Sequence, residues 1–312
     1  MGNAKKRSGS VASMLPVLLA CSFTASFGQS MMNVALPELA ERFGVTLSIA
    51  NWVIVGYMVV AATAIMLSAF MLRRLGLRRV FFVGAGALAL GSACALLSQD
   101  FPMLFASRLV QAVGTGLFFP SVTSVIMANS PAEVRGTRLA LNSGVIAVGL
   151  AISPTASGFA LTQFGWRAMF VVSLAMSVAL LAVGFFRIHG GPSTKRVPID
   201  ALSVMLGPLG LAAFLYGLGE VTRDLAPSLA ALAVGAVLLA LFAWRQFALE
   251  SPLLDLHPLV HPRFAVGILL VMVGMLTSFS MSILLPLCYE GALGYTAFFA
   301  GLLLLGPVLV NA

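Results

Sequence analysis

Charge is what this sequence has least of. Only 9% of its 312 residues are Asp, Glu, Lys or Arg, against about 25% in soluble domains. That shortage excludes a water-soluble globule. With 60% of residues apolar and a mean hydropathy of +1.04, disorder is excluded too, because it needs low hydrophobicity. Cysteine is scarce: Cys21, Cys94 and Cys288 sit in or beside apolar runs without C-x-x-C spacing. No disulfide framework is expected, and the three read as small buried hydrophobes. Histidine is limited to His189, His257 and His261. The last two have the spacing of a metal pair on a helix, but Pro258 and Pro262 interrupt that helix and no third ligand is near. They read as a solvated loop, and no metal is expected. A P-loop and a Ser–His–Asp set are also missing, so neither ATP-driven transport nor enzymatic hydrolysis is expected.

In place of charge, the chain has long apolar runs. A bilayer core about 30 Å thick takes about 20 residues of helix, since no backbone amide can be left facing lipid. Such runs fall at roughly 14–37, 51–72, 80–97, 102–129, 139–164, 168–186, 201–219, 228–244 and 264–286. Another opens near Thr296 and stops at Ala312. Lys5, Lys6 and Arg7 precede the first run as in a signal peptide, but it exceeds the usual apolar stretch of about 7–15 residues and further spans follow, so it reads as a span. The expectation is an all-α polytopic transmembrane helical bundle of nine full spans plus a partial tenth, set in a lipid bilayer. The tenth run has 17 residues and no flanking charge. It reads as interrupted, so the chain is expected to be C-terminally truncated.

A net charge of +8 suits nucleic acid only when basic residues share one solvated face. Here they mark alternate connections instead. Fourteen of the 18 lie in the N-terminal tail and in every second loop, three (Arg42, Arg167 and Arg223) in the other loops, and Arg108 alone within a span. Cytoplasmic loops carry the excess of Lys and Arg. The N-terminus is therefore expected in the cytoplasm of a bacterial inner membrane, with no nucleic acid as partner. The run from Gly84 to Gly91 and the pair Gly114 and Gly116 read as close helix packing. The longest polar connection, 189–198 (HGGPSTKRVP), follows six spans.

Six spans and a polar connection form half of a major facilitator unit, and the local motifs agree. Asn33-Val-Ala-Leu-Pro37 followed by Trp52 and Tyr57 resembles the fourteen-span drug:proton antiporters of the EmrB/QacA type. Arg73, Arg74, Gly76, Arg78 and Arg79 stand where that superfamily carries its G-x-L-a-D-r-x-G-r-k loop. Arg108-Leu-Val-Gln-Ala-Val-Gly114 is similar to the fourth-span R-x-x-q-G-x-g motif. Gly149, Pro154 and Gly158 fall on the fifth-span antiporter signature g-x-x-x-G-P-x-x-G-G. Pro252-Leu-Leu-Asp-Leu256 and Arg263-Phe264 fit the fourteen-span layout. The resemblance implies a cytoplasmic tail over 1–13, a six-helix bundle over 14–188, a cytoplasmic linker over 189–200, an inserted two-helix hairpin over 201–247 and an incomplete C-terminal bundle over 248–312.

Some positions depart from that pattern. Gly28 stands where the family places an Asp five residues before the Asn, and Ser30 where a Thr is usual. Arg73 occupies the loop's Asp position, Ala69 its leading Gly and Leu77 one of its basic positions. Ser153 and Ser157 replace glycines of the fifth-span signature. Arg73 cannot serve as the acidic latch and reverses the local charge.

Arg108 is the most informative residue, since a charge about six residues into a helix is costly in a bilayer and faces a wet cavity or a partner. The alternative is a structural arginine that snorkels outward near Asp100. Gln29, Ser30, Asn33, Tyr57, Gln111, Asn142 and Ser143 are polar groups within apolar spans, either interhelical glue or contacts to a small-molecule substrate. All ten acids fall in loops or at helix ends. The nearest substitute for a proton-coupling acid is Glu290, which reads as a solvated helix end. The expected function is export of hydrophobic or cationic small molecules by alternating access, with a proton gradient as energy source and no cofactor. A periplasmic adaptor partner is left open. The alternatives are a non-transporting remnant or a proton-independent facilitator.

Overall fold

Residues that are apolar on every side of a helix need lipid or other helices around them. The computed structural model of the protein describes residues 2–188, 200–221, 224–249 and 252–287, and among these it contains helices and no strand. In chain order they are α1 (Gly2–Ser30), α2 (Leu36–Phe43), α3 (Leu47–Leu75), α4 (Leu77–Leu96), α5 (Phe101–Asn129), α6 (Ala132–Phe164), α7 (Arg167–Arg187), α8 (Ala201–Glu220), α9 (Leu225–Ala248) and α10 (Pro262–Leu287). Eight stretches among the described residues are long and apolar enough to cross a membrane. They coincide with the first eight expected runs, and α10 covers the ninth. The run from Thr296, the linker 189–199, Glu290 and Cys288 lie outside the described residues.

The first run ends earlier than its apolar character suggests. α1 stops at Ser30, a 3-10 turn spans Met31–Val34, and α2 then forms a separate element. Pro37 in the first turn of α2 and Gly44 in the left-handed conformation (φ 62°) at its end bound it; proline favours helix starts and glycine helix ends. Its apolar Leu39 and Ala40 face inward, while Glu41 and Arg42 face out. Other ends are fixed by side chains: Thr46 Oγ1 accepts the Ile49 N–H at 3.3 Å and Asp100 Oδ1 the Met103 N–H at 2.8 Å. Gly76, with φ 78°, turns the chain between α3 and α4, a conformation glycine adopts without steric penalty.

α5 packs between α3 and α4, α1 lies against α5, α6 and α7, and α8 pairs with α9 while leaning on α3. Small residues set these approaches. A Cβ on Gly114 would fall 2.5 Å from the Gly84 carbonyl, and one on Gly91 would fall 2.5 Å from Gln111. Gly86 meets nothing within 4 Å, so of the glycines in that run it is 84 and 91 that seat α4 on α5. Two larger apolar cores result, beside smaller clusters around Tyr57 and Leu117. One joins Leu18, Cys21, Leu88, Phe118 and Ile126, and the other joins Met31, Met32, Leu39, Leu104 and Phe170 near α2. Outside, Phe186 is 74% and Trp244 68% exposed, surface that suits lipid and not water.

Candidate functional site

The helix that carries Arg108 starts at Phe101, so the arginine is its eighth residue, about 10 Å along at 1.5 Å per residue. It does not snorkel: its side chain is 0% exposed. Nη1 donates to the Gly28 carbonyl of α1 at 3.0 Å and to Gln111 Oε1 at 2.7 Å. The guanidinium carbon sits 4.0 Å from the centre of the Tyr57 ring on α3. A cation over an aromatic face is attracted by the ring quadrupole, more so when desolvated.

The network continues outward from these groups. Gln111 Nε2 donates to Ser92 Oγ at 2.7 Å, Ser92 donates to the Leu88 carbonyl at 2.7 Å, and the Ser173 hydroxyl lies 3.1 Å from Ser92 Oγ. The Tyr57 and Thr115 hydroxyls lie 2.6 Å apart. Five spans are thereby tied to one cation: α1, α3, α4, α5 and α7. Yet Nε and Nη2 of Arg108 have no hydrogen-bond partner among the described residues, and no carboxylate joins the network. The charge is met by a carbonyl, an amide and a π face alone. A buried ion without a counter-ion is expensive, so this arrangement is poised for an acceptor.

The structure brings Arg108, Gln111 and Tyr57 together and leaves Gln29, Ser30 and Asn33 out of the network. Ser30 is buried, Gln29 half-buried and Asn33 exposed. Asn142 accepts from Ser22 Oγ at 2.7 Å, joining α1 to α6. Ser153 strengthens that seam by donating to the Phe27 carbonyl at 2.7 Å. Gly149 faces Ser26 and the Phe23 carbonyl so closely that a Cβ would overlap them. Pro154 lies within α6 and has no N–H to give the residue four before it. Gly158 has open space, with Val34 the nearest group at 3.7 Å. The residues that sequence reasoning missed here are Ser22, Ser92, Thr115 and Ser173. Their signal was a hydroxyl inside an apolar run, and serine does not announce its partner.

The arginines that flank the Gly76 turn, at the end of α3 and the start of α4, lie near aromatic rings. Arg74 lies 5.8 Å from the Phe70 ring centre, and Arg78 lies 5.9 Å from Phe82 and 6.0 Å from Phe185. Arg73 donates from Nε to the Ala69 carbonyl of its own helix at 3.3 Å. Asp200 caps α8 and binds Arg245 of α9 through two bonds of 2.6 and 2.8 Å. The Arg245 bonds, with help from Ser203, hold the Asp200 carboxyl well below the usual carboxylate range. His257 pairs with Asp255 at 3.0 Å in an exposed turn.

A family model for the Major Facilitator Superfamily matches residues 18–312. The chain belongs to the Major Facilitator Superfamily. Among curated relatives it is 31% identical to the lincomycin resistance protein LmrB of Bacillus subtilis over 96% of this chain and 63% of that protein. It is 30% identical to the uncharacterized MFS-type transporter YhcA of the same organism over 96% and 57%. Against the multidrug export protein EmrB of Escherichia coli it is 27% identical over 93% and 57%. The chain therefore spans 57–63% of the length of these relatives. The fold resembles the solved proton:xylose symporter XylE, with a TM-score of 0.57 at 16% identity over 98% of this chain and 67% of that one. The drug-resistance relatives agree with the EmrB/QacA-type motifs read from the sequence, and the major facilitator fold is that of a polytopic all-α membrane protein.

Proposed function

We propose that this superfamily member acts as a secondary active transporter that exports hydrophobic or cationic small molecules across a bacterial inner membrane, its N-terminus in the cytoplasm. The observation that carries the reading is Arg108, a charge buried among spans and held by three of them. An ionisable residue inside a membrane bundle is costly to keep and by default marks a substrate or proton path. The names of two relatives, a lincomycin resistance protein and a multidrug export protein, support drug-like cargo. The fold class supports alternating access by rocking of helical bundles, and the proton gradient is the energy source proposed for it. Within this reading the domain layout given from the sequence also stands as a proposal.

A second reading rests on a specific observation. Among the described residues every carboxylate lies at a helix end, in a loop or on the short α2, so no acid is placed to shuttle a proton through the spans. That favours proton-independent facilitation. Efflux of a lipophilic dye from cells expressing the protein separates the two: collapse of efflux on adding a protonophore supports antiport, and persistence supports facilitation. The shared claim is tested by Arg108→Ala, which is expected to abolish efflux while membrane expression persists. Wild-type efflux in that variant defeats both readings.

A further inference from the structure

We propose that the outward seam between the start of α4 and the end of α7 is a binding site for an anionic phospholipid. Arg73, Arg74, Arg78 and Arg79 fall within one short stretch beside it, and all four are exposed. They flank the Gly76 turn, where α3 ends and α4 begins, so they stand at the rim of two helices long and apolar enough to cross a membrane. A cluster of about four to eight basic residues immediately beside a span is the pattern that gathers acidic lipid. The arginines share no side chain with the Arg108 network.

No acid among the described residues answers this charge. Asp200 and Asp255, at the same end of the bundle, are engaged by Arg245 and His257. Glu133 at the start of α6 forms no ion pair with the four arginines among the described residues; Glu250 lies outside them. The segment 189–199 that follows α7 adds Lys195 and Arg196 and no acid. The aromatic rings supply the second, independent observation. The Arg78 guanidinium lies 5.9 Å from the Phe82 ring centre on α4 and 6.0 Å from that of Phe185 on α7, which holds the cation over the seam of the two helices. Phe185 is 59% and Phe186 74% exposed there, while the α8–α9 hairpin packs chiefly on α3. A cation and an apolar aromatic surface thus adjoin at the depth where a lipid carries its phosphate and the start of its acyl chains. The phosphate accepts from the guanidinium, and a chain lies along the phenylalanines. Free phosphate would use only the first half of this surface.

The test is native mass spectrometry of the full chain, titrated in detergent micelles with dioleoylphosphatidylglycerol or with dioleoylphosphatidylcholine as the chain-matched zwitterionic control. Phosphatidylglycerol is expected to bind at least about fivefold more tightly. At about fivefold per arginine, Arg78→Gln/Arg79→Gln should weaken its binding roughly tenfold or more and leave phosphatidylcholine unchanged. Arg78→Lys/Arg79→Lys keeps the charge and should bind within about threefold of wild type, which separates loss of charge from loss of fold. Arg42→Gln, on α2 at the opposite end of the bundle, should change neither lipid. Equal affinity for the two lipids, or unchanged phosphatidylglycerol binding in the glutamine variant, overturns the proposal. Displacement of bound phosphatidylglycerol by an equal concentration of inorganic phosphate overturns the lipid as occupant.

Discussion

Replacing Gly28 by Asp should stabilise the bundle, although it adds an acid to the interior of a membrane helix. The position has room: a Cβ there meets only the Tyr57 hydroxyl, at 3.8 Å, an ordinary contact. The Gly28 carbonyl already lies 3.0 Å from Arg108 Nη1, and two further nitrogens of that guanidinium, Nε and Nη2, are unpaired among the described residues. A carboxylate on the next atoms of the same residue is therefore within reach of donors that have nothing to bind. Hydrogen bonds to charged groups contribute about 1.5–3 kcal/mol each. Against them stands the desolvation of the new carboxylate, several kcal/mol. The net gain of the single variant is accordingly small, about 1 kcal/mol, and its sign alone is a weak test.

The coupling is the strong test. Removing one member of a buried ion pair costs about 3–5 kcal/mol. A cycle of wild type, Gly28→Asp, Arg108→Ala and the double variant should therefore give an interaction energy of about 3 kcal/mol, read from SDS unfolding midpoints in mixed micelles. Gly28→Asn controls for shape and should capture less than half of it. A coupling below about 0.5 kcal/mol, or equal effects of Asn and Asp, refutes the claim that Arg108 lacks a counter-ion.

Three further outcomes follow from the packing and the polar seams. Gly149→Ala drives a methyl into Ser26 and the Phe23 carbonyl; such overpacking costs about 1–3 kcal/mol, so the SDS midpoint should fall, and an unchanged midpoint refutes the tight α1–α6 crossing. Gln246→Leu removes the acceptor of the Leu253 and Leu254 N–H groups, held at 2.9 and 3.2 Å, and the donor to Ser203. At about 1–3 kcal/mol for unpaired buried groups, cleavage by protease across 249–261 should accelerate; equal rates refute the anchoring role. Asp200→Asn tests a pH dependence. Because the folded-state carboxyl is depressed by Arg245, its contribution is full above the unfolded value near 3.9 and is lost as pH falls below it. The stability gap between wild type and variant should be constant at neutral pH and close in acid; a gap that grows in acid refutes the pairing.

The spans were legible because lipid imposes one requirement on every residue of a helix. Run length and the scarcity of charge sufficed, and the boundaries shifted only where a cap or turn intervened. α2 escaped because eight residues are too few for a periodicity to show against an apolar background, although Pro37 and Gly44 bracket it in the sequence. Arg108 and Gln111 were legible as a pair from their spacing on one helix. Their contact with Gly28 was not, since a glycine offers no side chain and its carbonyl is found only when α1 is laid against α5. The hydroxyls of Ser92 and Thr115 were equally silent, because a serine in a membrane helix reads the same whether it bonds its own backbone, as Ser68 does, or a neighbour.

The hairpin's attachment bears on how such a bundle moves. α3 holds α8 near one end through Ser48 with Glu220 and through the stacked Trp52 and Tyr216. Further along, Gly207 of α8 leaves room for Met66 of α3, whose Cε lies 3.2 Å from where a Cβ would sit. Two fixed points along one helix resist both sliding and rotation. In the proposed rocking motion, α8 and α9 then travel with α3 and not with the helices after residue 248. Arg108 is held within the same body, by α1, α3 and α5. The buried cation need not break its own contacts for the bundles to rock, and what changes between states is left to surfaces that these contacts do not cross.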